Sequence, residues 1–140
     1  MTCRLSPRLL LLAAVVAATG CSGRYPVSGR VAYEDGSPLE DGTVIGEATV
    51  NGKPVAVQGA VRKDGSFEWG GDVPGDGAMP GDYKVVVMPR ALGDAEMGEG
   101  KQPAVDGKFT KYNSSGLTFS VRPENNTFNI TVSRPKPKGK

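Results

Sequence analysis

The sequence predicts an all-β fold, a sandwich of seven short antiparallel strands. Three observations carry it. Apolar side chains take every other position in segment after segment, the period at which a strand sends successive side chains to opposite faces. Asp-Gly, Asn-Gly and Pro-Gly pairs, each a turn former, separate those segments. Glycine (20 residues) and proline (11) are abundant and aromatics scarce (6%), which suits short strands and many turns. No segment carries a helical period.

The first strand holds Val27, Gly29, Val31 and Tyr33 on one face and Ser28, Arg30, Ala32 and Glu34 on the other. Asp35-Gly36 and Pro38 turn the chain, and Leu39-Glu40-Asp41-Gly42 leads into a second strand, 43–50, with Val44, Ala48 and Val50 inward. Gly46 in its middle is expected to mark a bulge. Asn51-Gly52 is a hairpin signal, because both residues tolerate the positive φ of a type I′ turn. A third strand, 55–62, aligns Val55, Val57, Gly59 and Val61; after Lys63-Asp64-Gly65 a fourth, 66–69, points Phe67 and Trp69 together.

Residues 70–81 read as loop, seven of the twelve being Gly or Pro. The strand 82–88 is the cleanest: Tyr83, Val85 and Val87 inward, Lys84 outward, with Val86 on the outer face implying cover on both sides. Residues 89–116 lack periodicity and exceed an ordinary connection in a compact domain; one helical turn is expected within 91–97, and Lys111-Tyr112 is expected to dock back on the body. Leu117, Phe119 and Val121 alternate with Thr118 and Ser120. After a turn at 122–125, Phe128, Ile130 and Val132 alternate with Thr127, Asn129 and Thr131. The stretch 133–140 is basic and proline-spaced, and is expected to be disordered.

Ahead of the first strand lies an address. Arg4 and Arg8 precede an apolar run from Leu9 to Ala17, and small residues follow, the layout of a secretory signal. The run is about 10 residues, against roughly 20 for a membrane-spanning helix. Ala18-Thr19-Gly20-Cys21 resembles a bacterial lipobox, with Ala18 where the usual pattern has leucine. That resemblance implies a signal peptide over 1–20, cleavage before Cys21, a diacylglycerol on its sulfur and an acyl chain on its new amine. Residues 21–26 would then be a lipidated tether and 27–132 the sandwich domain. Ser22, a non-acidic residue after the cysteine, implies the outer membrane, facing periplasm or cell surface. The plainer reading is an ordinary cleaved signal with an incidental thiol at Cys21.

Composition excludes several classes. On the lipobox resemblance Cys3 would leave with the signal and Cys21 would be capped by lipid, so no cysteine would be left to form a disulfide within the domain. The chain has no histidine, the commonest general base and transition-metal ligand. Between Ser22 and Ser133 there are 11 basic and 15 acidic residues, a net charge of −4. An acidic body is not the electrostatic footprint of a nucleic-acid binder.

Five stretches line up in order: Val27-Ser28-Gly29-Arg30-Val31; Asp35-Gly36-Ser37-Pro38-Leu39; Asp64-Gly65-Ser66-Phe67; Pro80-Gly81-Asp82-Tyr83-Lys84-Val85-Val86-Val87; and Tyr112-Asn113-Ser114-Ser115-Gly116-Leu117-Thr118. Together they resemble the carboxypeptidase regulatory-like, or transthyretin-like, domain, and in particular the small planctomycete lipoproteins that carry such a domain alone. The resemblance spans nearly all of 21–132. It implies a seven-stranded Greek-key sandwich with an immunoglobulin-like outline, and no activity.

Candidate chemistry is sparse. Transthyretin-like hydrolases that open a ureide ring use histidines, and an H-E-x-x-H zinc site needs them too; neither fits this chain. A Ser/Lys pair is allowed by composition, but nothing frames one. Asp72, Asp76 and Asp82 share a glycine-rich stretch where carboxylates and carbonyls could surround Ca²⁺, without the regular calcium-loop spacing; the plainer reading is turn formation. Trp69 with Tyr33 or Tyr83 could make a sugar platform, or simply core. Asn113, Asn125 and Asn129 each open an N-x-[ST] pattern, read as turns and strand edges. The basic stretch 134–140 could touch anionic lipid or wall polymer, or be a solvated end. The expectation is therefore a lipid-anchored, non-catalytic envelope module without a cofactor, held to the membrane through Cys21. Its partner would be an envelope protein or glycan. The alternatives are a carbohydrate- or calcium-binding surface module, and an accessory subunit that docks a partner through 89–116.

Overall fold

The computed structural model describes residues 23–137; the expected signal peptide, Cys21 and Lys138 to Lys140 lie outside the described residues. Seven strands form: β1 (Val27–Tyr33), β2 (Gly42–Val50), β3 (Lys53–Val61), β4 (Ser66–Glu68), β5 (Gly81–Met88), β6 (Leu117–Val121) and β7 (Asn126–Val132). They make two sheets, ordered β4-β1-β7 and β3-β2-β5-β6, whose inner faces share one apolar core. The fold is all-β, as the alternation predicts.

One pairing departs from the antiparallel expectation. β1 and β7 run parallel, from Val27 opposite Asn126 to Tyr33 opposite Val132. Every pairing in the four-stranded sheet is antiparallel, as is β1 with β4. The direction of β7 is set where the chain crosses from β6 into the other sheet at 122–125, not by a hairpin with β1. A parallel pair needs a long connection, and first and last strands have one. Asn126 clamps the crossing: its amide donates to the carbonyls of Arg122 (3.0 Å) and Glu124 (2.7 Å), and its Oδ1 accepts from Arg122 N–H (3.0 Å).

The Asn51-Gly52 hairpin forms as expected, with φ of 51° and 75°, and joins Val50 directly to Lys53. The bulge expected at Gly46 is absent. Gly46 pairs regularly with Val57 and Val85; its bareness makes room for Trp69, whose Cη2 would lie 2.8 Å from a Cβ there. Trp69 is fully buried. Its ring lies 5.5 Å from that of Tyr83, 6.1 Å from Phe119 and 6.2 Å from Phe128.

Val86 is buried on the outer face of β5, beside Val85 and Val87 on the inner, and a short 3-10 turn, Gly107–Thr110, lies against that strand. The long connection holds one five-residue helical segment, α1 (Asp94–Gly98). Of the expected Lys111-Tyr112 anchor, Lys111 is exposed, while Tyr112, 38% exposed, meets the body beside Glu47 of β2, and burial and then that carboxylate raise its phenol. Val105 and Phe109 are the buried anchors, and the buried Ser115 hydroxyl donates to the Val85 carbonyl at 2.6 Å.

Because β1 and β7 are parallel, the chain enters β1 at one pole of the sandwich and leaves β7 at the other. The first pole carries Tyr25, bridged to Ala78, with the turns at 51–52 and 122–125. The second carries residues 34–41, the loop 89–106 and the stretch after Val132.

Candidate functional site

The second pole holds the most elaborate polar surface among the described residues. Residues 34–41 and 89–104 face each other across an open cleft of about 450 Å³, floored by Tyr33 and Leu39. Three links draw its walls together. The Tyr33 hydroxyl donates to the Ala104 carbonyl (2.8 Å), and the Asp106 N–H donates to the Ser133 carbonyl (2.8 Å). The Arg134 guanidinium lies 3.7 Å from the Tyr33 ring centroid, a cation–π contact.

Five of the charges that line the cleft, on Asp41, Arg90, Glu96, Lys101 and Arg134, have partners. Arg90 donates to both carboxylate oxygens of Glu96, at 2.9 and 3.1 Å, and lies 3.7 Å from Asp41. Lys101 lies 3.6 Å from Glu96 and 3.7 Å from Glu99. Arg134 lies 3.3 Å from Asp35. Glu96 also accepts the Gly93 N–H at 3.0 Å, the geometry that starts α1. Arg90, and after it the Gly93 N–H, hold Glu96 down at about 2. Burial raises the Tyr33 phenol, with Arg134 opposing. Glu96 is thus a fixed anion and Tyr33 a neutral phenol at any physiological pH. Neither is poised to exchange protons, as a general acid or base must be.

The Glu96 pairing predicts a titration. Its pKa in the folded chain is depressed from 4.5 to about 2. Its contribution to holding 90–101 together is therefore complete above pH 4.5 and is lost as pH falls through about 2. NMR of the side-chain carboxyl should place the midpoint well below an ordinary glutamate's, and Arg90→Ala should return it most of the way. An ordinary midpoint in the unaltered chain would refute the pairing.

Beside the cleft runs a second, apolar groove of about 540 Å³, walled by Met88, Pro89, Leu92, Met97, Pro103 and Pro135. Met88 and Met97 are 39% and 56% exposed. The lack of periodicity over 89–116 marks the segment in the sequence but none of these side chains. The one legible trace was Gly93-x-x-Glu96, a glutamate three residues into a helical turn.

The aspartates proposed for calcium do not converge. Asp76 Oδ1 accepts the Gly71 N–H (2.6 Å), and its Oδ2 lies 3.7 Å from Arg24. Asp82, on β5, accepts the Ser120 hydroxyl across the β5–β6 ladder. Asp72 is exposed in the loop. Among the described residues no three acidic or cysteine side chains are grouped as metal ligands would be. The sugar platform does not form: Trp69 and Tyr83 are buried in the core, and Arg134 covers the ring of Tyr33. Asn113, Asn125 and Asn129 are all exposed. Arg134, expected in a disordered stretch, is seated on Tyr33. Compared with known proteins, the chain matches no family model, no curated protein and no solved structure.

Proposed function

We propose that this chain is a lipid-anchored, non-catalytic β-sandwich of the cell envelope with a binding or structural role, exported and held through acylated Cys21, in the outer membrane. The observation that carries the reading is the closeness of address and fold. The lipobox-like Ala18-Thr19-Gly20-Cys21 is followed within four positions by Tyr25, which is already bridged to Ala78. A tether that short holds a domain near a bilayer surface. The lack of histidine and the ion pairs that engage Arg90, Lys101, Arg134 and Glu96 in the cleft favour a role without catalysis. The finer architecture, a Greek-key sandwich of immunoglobulin-like or transthyretin-like outline, draws support from the two sheet orders and from the glycine turns after Asp35 and Asp64. The parallel β1–β7 pair is its departure from an all-antiparallel scheme.

Cys21→Ser tests the anchor. In the unaltered protein the mature N-terminal peptide should carry acyl mass, and the chain should follow the detergent phase on partitioning. The variant should move to the aqueous phase. A free thiol on Cys21, or a mature start elsewhere, would end the proposal.

A second reading, an accessory subunit that docks a protein through 89–116, has its own support in the apolar groove. Flexible methionines suit a surface that adapts to a partner. Photo-cross-linking from position 97 in intact envelopes should capture one protein band, lost when Leu92 and Met88 are both changed to Ser. A band that persists unchanged would count against the groove.

A further inference from the structure

We propose that the free edge of β7 pairs with β7 of a second copy of this chain, antiparallel, across a two-fold axis at Asn129. The inference rests on backbone geometry and goes beyond the envelope reading. Asn126 donates its N–H to Pro26, and β7 lies beside β1 in unbroken parallel register. In such a ladder alternate residues bond to the neighbour. Phe128, Ile130 and Val132 therefore turn to β1 with Asn126, and Thr127, Asn129 and Thr131 turn their N–H and C=O groups outward. Among the described residues no other backbone bond engages those three. The edge closes only at Ser133, whose carbonyl takes the Asp106 N–H.

Proteins guard such edges with charges, prolines, brevity or cover. The other edges here are guarded. β4 is three residues long and ends in Glu68. β3 starts Lys53-Pro54 and is tied at Gln58 to Gly70. β6 is five residues, and its Leu117 N–H goes to Ser115 Oγ (3.3 Å). β7 has seven residues, Asn-Thr-Phe-Asn-Ile-Thr-Val, with no charge and no proline.

The edge is also self-complementary. Antiparallel pairing about Asn129 sets Thr127 opposite Thr131 and Phe128 opposite Ile130. Each outward residue then exchanges both backbone bonds with its partner. Threonine–threonine and aromatic–β-branched pairs are favourable cross-strand neighbours. The nearest charge before β7 is Glu124 and the nearest after it is Arg134, so unlike charges meet at both ends of the paired strands. Phe128, partly buried and stacked on Phe119 at 4.4 Å, gains cover. The contact is isologous and closes at two copies. The two-fold runs across the strands, so both tethers reach one bilayer when the strands lie along it.

The test uses the full chain as the cell produces it, solubilised in mild detergent. Sedimentation should give the protein mass of a dimer. Asn129→Pro removes only an outward N–H and keeps the β1 ladder, so it should leave the circular dichroism unchanged and halve that mass. Asn129→Lys, with like charges meeting on the axis, should do the same if the proline variant folds poorly. Opposed Cα atoms in such a pair lie about 5.5 Å apart, within the roughly 4.4–6.8 Å that a disulfide spans. Asn129→Cys should therefore cross-link to a dimer under mild oxidation, and Asn113→Cys should not. A monomeric unaltered chain, a dimer that survives both substitutions, or equal cross-linking at 113 and 129 would each overturn the proposal. Because no readout depends on the lipid, a failure of Cys21 acylation would leave this result standing.

Discussion

Trp69→Ala should cost about 3–5 kcal/mol, the usual penalty for emptying a large aromatic site in a core. Domains of this size hold about 5–15 kcal/mol in all, so at least about a fifth of the stability goes. Trp69 is the core's meeting point. It is fully buried, with Phe67, Tyr83, Phe119 and Phe128 around it, drawn from strands of both sheets. Trp69→Phe should behave differently. The indole Nε1 is buried without a hydrogen-bond acceptor among the described residues, and an unpaired buried donor costs about 1–3 kcal/mol. Phenylalanine sheds that cost while giving up part of the ring, so its net loss should be under about 1.5 kcal/mol. Urea unfolding followed by circular dichroism separates the two. Gly46 adds an internal check. A Cβ there would crowd Trp69 Cη2, an atom that phenylalanine lacks. Gly46→Ala should therefore be far less damaging in the Trp69→Phe background, a coupling expected only of touching residues. Additive losses would mean that Gly46 is constrained by something other than the indole.

How much of this was legible in the sequence follows from what each signal encodes. Strands were readable because period two is a property of single side chains: Val85 and Val87 turn inward, Lys84 outward, wherever the strand lies. Asn51-Gly52 was readable because its turn is a local φ requirement. Strand direction has no such mark, so the parallel β1–β7 pair could not be seen. Nor could Gly46, whose role depends on an indole 23 positions away. The buried Val105 and Phe109 stood in a stretch with no period to assign a face. The cleft was the least legible part. Arg90, Asp41, Glu96 and Arg134 are brought together by loops, and each is an unremarkable charge in its own segment. The acidic candidates failed for the converse reason. Nearness in the chain put Asp72, Asp76 and Asp82 together, but Asp82 sits on β5, and its carboxylate takes the Ser120 hydroxyl on the next strand.

Val85→Asp should leave the domain unfolded at neutral pH. Val85 has no exposure, and the cluster it belongs to is apolar throughout. Its strand is central, between β2 and β6, so no edge offers an escape to water. An aspartate there must ionise without a partner or take up a proton. Either course costs several kcal/mol, on top of the lost valine contacts of about 1.5–3 kcal/mol. The sum is comparable to the whole stability of such a domain. Position 84 supplies the control. Lys84 is exposed and its register partner Glu47 is exposed too, so Lys84→Thr should shift stability by no more than about 0.5 kcal/mol. Val86→Asp discriminates further. If β5 were covered on one face only, position 86 would tolerate the charge as position 84 does. With Val86 buried beneath the 107–110 turn, it should fail as position 85 does, though less completely, because that turn can lift away while two sheets cannot. Thermal melts of the three variants should thus rank 84, then 86, then 85. A ranking with 85 the mildest would mean that β5 is paired one residue out of register, since a shift by one turns every side chain to the other face.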